Sequence, residues 1–145
     1  MTPEQEKPIA SSAWRAPSNI AIVKYWGKRG IQLPVNPSVS LSLKNSCTRT
    51  EVALFPKTTT EDIQLKFFFE GKENEQFAVR VMKYLNQIAP EFDFLWQFAV
   101  VIRSSNTFPH SAGIASSASS YAALALCLLS LHEKLETGNI LQAPD

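Results

Sequence analysis

Residues 109–120 read Pro109-His110-Ser111-Ala112-Gly113-Ile114-Ala115-Ser116-Ser117-Ala118-Ser119-Ser120, and the apolar run Tyr121–Leu129 follows directly. A loop of small residues here becomes the start of a long helix, carried by its pattern to about Leu135, with Gly138 as the residue that ends it. The first turn of such a helix has free N–H groups and roughly half a positive charge from its macrodipole. Gly113 and the serines leave the backbone open to a phosphate, and their hydroxyls add donors or magnesium ligands, so this start is a candidate anion site. It is not a Walker A loop, because the second glycine and the lysine after it are missing. Ser and Ala are also good capping and close-packing residues, and composition does not separate the two readings. The run Tyr121–Leu129 is apolar all round, which predicts a central, buried helix.

Upstream of this helix, the loop Ser104–Ala112 follows a strand marked by Phe98, Val100 and Ile102. Before it, Phe77, Val81, Leu85 and Ile88 recur at helical spacing, predicting an amphipathic helix over residues 74–89 that Pro90 stops. Residues 50–55 and 63–69 alternate as strands, with Val52 and Leu54, then Ile63, Leu65, Phe67 and Phe69, on their buried faces; residues 56–62 are the loop between them. Ser38–Leu43 alternates strictly and predicts a separate half-buried strand, preceded by a loop over residues 33–37. Ala16-Pro17-Ser18-Asn19 is turn-like, and Ile20–Val23 reads as a short buried strand. Residues 1–12 are expected to be a loose tail and residues 13–145 one domain. Strands come first with helices interspersed, so the class is α+β.

A second segment crowds charge and aromatic rings together: Lys24-Tyr25-Trp26-Gly27-Lys28-Arg29-Gly30, at a strand edge or hairpin tip. Lys24 and Lys28 could clamp an anion, with Tyr25 donating and Gly27 allowing close approach. A solvated basic turn with Trp26 packed inward explains the same residues.

The 145 residues fit one domain of ordinary composition, with 45% hydrophobic and 19% charged residues. A net charge of +1 gives no global pull toward nucleic acid or anionic membrane. Cys47 and Cys127 are too few for a disulfide-rich scaffold or a four-cysteine zinc site, although one disulfide stays open. His110 and His132 lack ligand-spaced partners. The first residues lack the apolar core of a secretory signal, and Tyr121–Leu129 is far short of the ~20 residues of a membrane span. The expectation is a cytoplasmic protein. No carboxylate stands out as a general base; Glu51, Glu61, Asp62, Glu70 and Glu73 look like solvated charges.

Taken together, Ala16–Ala21, Lys24–Lys28, Leu33–Asn36 with Ser38 and Ser40, and Asn106–Pro109 running into Gly113–Ala118 resemble the diphosphomevalonate decarboxylase family. That family belongs to the galactokinase, homoserine kinase, mevalonate kinase and phosphomevalonate kinase (GHMP kinase) superfamily. Ile114 stands where Leu is more usual, and the Lys-Tyr-Trp-Gly-Lys string points to the decarboxylase branch. The resemblance implies a ribosomal-protein-S5-domain-2-like fold with a mostly antiparallel sheet and helices on one side. It also implies ATP and Mg²⁺ as cofactors, mevalonate 5-diphosphate as substrate, isopentenyl diphosphate as product and a homodimeric whole enzyme. By position, Asn19, Tyr25, Trp26, Gly27 and Lys28 match substrate-binding residues, and Lys24 matches a catalytic lysine. Asn106, Gly113, Ala115, Ser116, Ser117 and Ser119 match the ATP-binding segment, with Ser117 as a possible magnesium ligand.

Gln76 occupies the position of a family arginine, with Lys72 and Arg80 nearby. The family's catalytic aspartate and its Gly-Ser-rich segment with a catalytic arginine are expected downstream of Asp145. These residues therefore read as an N-terminal portion that is inactive alone. The alternatives are a sister 3-kinase or decarboxylase acting on mevalonate or its monophosphate, and a non-catalytic nucleotide- or RNA-binding module of the same fold.

Overall fold

Alternating apolar residues build a sheet, and two helices cover one of its faces. The computed structural model describes residues 7–31, 33–60, 62–109 and 116–138. Strand β1 (Ala10–Val23) leads into a small ladder of β2 (Lys28–Arg29) and β3 (Leu33–Pro34). Then come β4 (Val39–Pro56), β5 (Gln64–Phe69), β6 (Lys72–Glu73) and α1 (Glu75–Ile88). A 3₁₀ turn (Ala89–Glu91) and a short helix α2 (Phe94–Gln97) precede β7 (Phe98–Asn106) and α3 (Ser116–Thr137). The main sheet is ordered β1-β4-β7-β5-β6; β5 and β7 run parallel and the other neighbours antiparallel.

The core lies between this sheet and its helices. Val52, Leu54, Val100 and Ile102 face Val81 and Leu85 of α1 and Leu124, Cys127, Leu128 and Leu131 of α3. Leu54, Leu85, Leu95, Ile102, Leu128 and Leu131 are completely buried, each contributing about 1.5–3 kcal/mol. The opposite face holds a smaller apolar cluster of Ala53, Phe55, Ala99 and Val101 with Phe68. Arg103 lies there 5.5 Å from the Phe68 ring and 3.9 Å from Glu51. The fold is the α+β arrangement expected from the sequence, with a mostly antiparallel sheet and helices on one side. Helix α1 begins as predicted, with the Asn74 side chain accepting from Phe77 N at 2.9 Å.

Several boundaries differ from the sequence reading. Ala10–Ser12 belong to β1 and pair with Val52–Leu54, so the expected tail does not extend to Ser12. Residues 16–19 lie within β1 rather than in a turn; Pro17 is accommodated where the register slips between Pro17↔Cys47 and Asn19↔Ser42. Ser18 sits at that slip, fully buried, and its hydroxyl finds no hydrogen-bond partner among the described residues. Residues 39–56 form one strand, not two. Only Thr48–Pro56 of it pairs with β7, so the ribbon of Asn19–Val23 and Val39–Ser42 projects beyond the sheet. Ile20, Ile22, Val23, Val39 and Leu41 are consequently exposed, where the apolar run 20–23 and the alternation of 38–43 predicted burial. Ser104–Asn106 and Leu33–Pro34 are strand rather than loop. Finally, α3 is not buried all round: Leu129 is 54% exposed and Tyr121 and Leu126 are 37% exposed, because only one face meets the sheet.

Candidate functional site

The first turn of α3 is tied to the sheet by a polar node. The Thr48 hydroxyl, completely buried, donates to Asn106 Oδ1 at 2.8 Å. A hydroxyl has one proton, so its 2.7 Å contact with Ser119 Oγ makes Ser119 the donor there. Asn106 N donates to Glu70 Oε1 at 2.8 Å. Glu70 is held at φ 50 next to Gly71 at φ 77, in the tight turn joining β5 to β6. Two successive positive φ values suit a two-residue hairpin turn, and Glu70 N bonded to Ser104 O at 3.0 Å holds the non-glycine residue there. Thr107 closes the other side: its hydroxyl accepts from Cys47 N at 2.9 Å and donates to Asn45 O at 2.8 Å.

Beside this node, α1 and α3 stand apart over β5 and β7 and enclose a cavity of about 150 Å³. Phe67, Phe69 and Phe77 form one wall, with Phe77 edge-on to Phe67 at 6.0 Å and to Phe69 at 5.3 Å. Ile102 and Leu124 supply further apolar surface. The paired hydroxyls of Thr50 and Ser104, 3.1 Å apart, add a polar spot. Asn106, Ser117, Ser120 and Arg80 bring polar groups to the same space. Tyr121 also lines it and packs edge-on to Tyr84 at 5.0 Å; burial and then Tyr121 raise the Tyr84 phenol pKa above its usual value.

The expected site residues separate into two groups. Asn106 and Ser117 both line the cavity. Ser119 turns instead into the sheet, where Thr48 engages it. Ser116 begins α3, whereas Gly113 and Ala115 lie outside the described residues, as does His110. Lys24, Tyr25, Trp26 and Lys28 are exposed at the far end of the projecting ribbon, where Gly27 is half-buried. Trp26, at 95% exposure, is not packed inward. Asn36 organises this tip: its Oδ1 accepts from Trp26 N at 2.8 Å, and its Nδ2 donates to Lys24 O and Pro37 O. Lys28 Nζ lies 6.0 Å from the Tyr25 ring centroid. Asn19 is half-buried in β1, just past the register slip. From Ala16, paired with Thr48, to Lys24 the strand runs about 25 Å at ~3.3 Å per residue, so the basic tip and the polar node are not in contact.

Among the described residues no group of three His, Cys, Asp or Glu could hold a metal ion. Both cysteines are free and buried, which removes the disulfide option. Burial pushes the Cys127 thiol up to about 12, and its Sγ donates to Thr50 O at 3.3 Å. His132 is 3.2 Å from Glu136 on the surface of α3, against Phe92 and Phe94. Among the described residues no helix is long and apolar enough to cross a membrane. Reading the sequence missed Thr48, gave no individual role to Asn36 and Thr107 within the quoted motifs, took Glu70 for a solvated charge, and took the cavity's aromatic wall for plain core.

These elements make a two-layer α+β domain with an aromatic-walled cavity between its two long helices and the sheet. The chain belongs to the diphosphomevalonate decarboxylase-like N-terminal domain family, which matches residues 16–142. It is 36% identical over 138 residues to the diphosphomevalonate decarboxylase of Homo sapiens, an alignment covering 85% of this chain and 34% of that protein. Mevalonate diphosphate decarboxylase from Staphylococcus aureus superposes with a TM-score of 0.73 at 32% identity, over 87% of this chain and 37% of that one. The structure of MDDEF in complex with MVAPP, AMPPCP and magnesium gives a TM-score of 0.67 at 35% identity, over 82% and 36% of the two chains. The chain thus spans about a third of the length of these relatives.

Proposed function

We propose that the chain is the nucleotide-binding and substrate-phosphate-binding portion of an ATP-dependent decarboxylase. The reaction converts mevalonate 5-diphosphate to isopentenyl diphosphate, ADP, phosphate and carbon dioxide. One observation carries this reading: Asn106 and Ser117, matched to the ATP-binding segment, line the same aromatic-walled cavity. A cavity near 150 Å³ is the size that takes up one aromatic ring in other proteins. One ring of the base therefore fits inside, while the rest of the nucleotide lies outside along Ser117 and the start of α3. The complex of MDDEF with AMPPCP and magnesium supports the cofactor assignment.

Magnesium fits the donors present. The described residues offer no carboxylate cage, and Mg²⁺ prefers phosphate oxygens and water with one or two protein ligands. Ser117 is the hydroxyl here that would join the phosphates in holding it, and the bound ion would neutralise charge on the transferring phosphoryl group. Lys24, Tyr25 and Lys28 present cations and a phenol at the ribbon tip, suited to the diphosphate of the substrate. Trp26, Gly27 and Asn19 complete that substrate set.

The test offers the purified 145-residue chain ATP–Mg²⁺ and single-stranded RNA at two salt concentrations, then assays isopentenyl diphosphate and carbon dioxide with mevalonate 5-diphosphate added. ATP–Mg²⁺ binding with no turnover is expected. RNA binding with a steep salt slope and no nucleotide effect would favour the RNA-module alternative. Sustained turnover would mean that a base lies within these residues.

A further inference from the structure

The turn joining β5 to β6 carries a glutamate where the backbone favours a different residue. Glu70 and Gly71 take φ 50 and φ 77 in succession, and Asn-Gly is the pair that holds two positive φ values most readily. A glutamate in the left-handed region is strained in a way that glycine or asparagine largely avoids. Its carboxylate has one partner among the described residues: Oε1 accepts from Asn106 N at 2.8 Å. The ladder explains this bond. β5 pairs with β7 in parallel as far as Phe69↔Ser104, and Glu70 N donates to Ser104 O at 3.0 Å. The next bond of a parallel ladder would run from Asn106 N to the Glu70 carbonyl. The chain reverses here instead, bringing Lys72 opposite Phe69, and the Glu70 carboxylate accepts the bond in place of that carbonyl. The side chain thus extends the support of β7 by one residue, and that residue, Asn106, lines the cavity.

Resting on the nucleotide reading above, we propose that Glu70 is a positioning residue for nucleotide binding, acting through Asn106. The carboxylate fixes the Asn106 backbone on one side, while the Thr48 hydroxyl donates to Asn106 Oδ1 at 2.8 Å on the other. Held at both ends, the Asn106 amide keeps one direction at the cavity. A carboxylate accepting from a backbone N–H makes a charge-assisted bond, stronger than the neutral ladder bond it replaces. Without it, support of β7 on the β5 side would end at Ser104, and the last residue of the strand would be free to shift. Glu70 is exposed, so core packing does not select it. Strain kept at a residue whose described side-chain bond serves a cavity residue points to the site, since the turn alone would be better made without it.

The test measures ATP–Mg²⁺ affinity, thermal melting and amide hydrogen exchange by NMR for the 145-residue chain, Glu70→Gly and Glu70→Gln. Glu70→Gly relieves the positive φ and removes the carboxylate. It is expected to melt at or above the parent while binding ATP–Mg²⁺ about tenfold more weakly, with the Asn106 amide losing its protection from exchange. Glu70→Gln keeps an oxygen acceptor at the same reach, so protection should return and affinity recover to within about threefold of the parent. Unchanged affinity in Glu70→Gly would overturn the proposal, as would a Glu70→Gln variant no better than Glu70→Gly. Affinity that falls only in step with melting temperature would also overturn it, by making Glu70 a residue of the turn alone. A parent chain that protects the Asn106 amide yet binds no ATP–Mg²⁺ would refute the nucleotide reading itself, and this role with it.

Discussion

Replacing Thr48 by Val tests whether the polar node holds the start of α3. The substitution keeps shape and removes only the hydroxyl, which is completely buried and bonded at 2.8 Å to Asn106 and 2.7 Å to Ser119. Two hydrogen bonds at about 1 kcal/mol each set the cost. Asn106 is only half-buried, so water can replace part of its loss. The expected destabilisation is about 2 kcal/mol, which in a chain of this size lowers Tm by roughly 4–8 °C. Urea denaturation of Thr48→Val, Ser119→Ala and the double variant measures the coupling directly. An interaction energy of about 1 kcal/mol is expected, because the residues share one bond. Nucleotide affinity should fall in parallel, since Asn106 and the first turn of α3 lose their common support. Additive single losses, within about 0.3 kcal/mol, would show that the 2.7 Å contact couples nothing and refute the reasoning.

Three further outcomes are expected. The Cys127 thiol, raised by burial from 9.0 to about 12, stays protonated in the folded chain, so a disulfide reagent should leave it untouched until unfolding. Its contribution to stability is complete below pH 9 and is lost as pH rises toward 12; the stability difference between parent and Cys127→Ala should therefore shrink across that window in pH-dependent urea melts. In a fusion of this chain to the C-terminal two thirds of a family member, Ser117→Ala should lower kcat about 10²–10³-fold, as loss of one positioned donor does; unchanged steady-state kinetics would remove Ser117 from the site. The exposed Ile20, Ile22, Val23, Val39 and Leu41 should make the isolated chain self-associate with concentration, and light scattering should show Ile22→Thr with Leu41→Thr moving it toward monomer.

What the sequence could say about the fold depended on whether a pattern needs a partner to be interpreted. The spacing of Phe77, Val81, Leu85 and Ile88 states which face of α1 is buried, and Asn74 marks its start; both are local signals. The alternation of Ser38–Leu43 is just as regular, yet burial there requires a third layer. That stretch runs past the end of β7, so Val39 and Leu41 meet water. Pro17 misleads for a related reason: a proline suggests a break, but at an edge strand beside a register slip no ladder hydrogen bond is forfeited. The short helix Phe94–Gln97 carries no periodicity long enough to read.

The site shows the same division at finer grain. Ser117 and Ser119 are two residues apart, hence about 200° apart around a helix of 3.6 residues per turn, and one of them must point inward. The resemblance assigned both to a ligand, because a match of residue types holds no information about where the sheet lies. Once Thr48 fixes the inward direction at Ser119, Ser117 and, three and four residues on, Ser120 and Tyr121 fall on the side facing α1. The two serines then divide the work: one anchors the helix so that the other is held at the cavity. Chemistry was legible in residue types, and its direction became legible only with the packing.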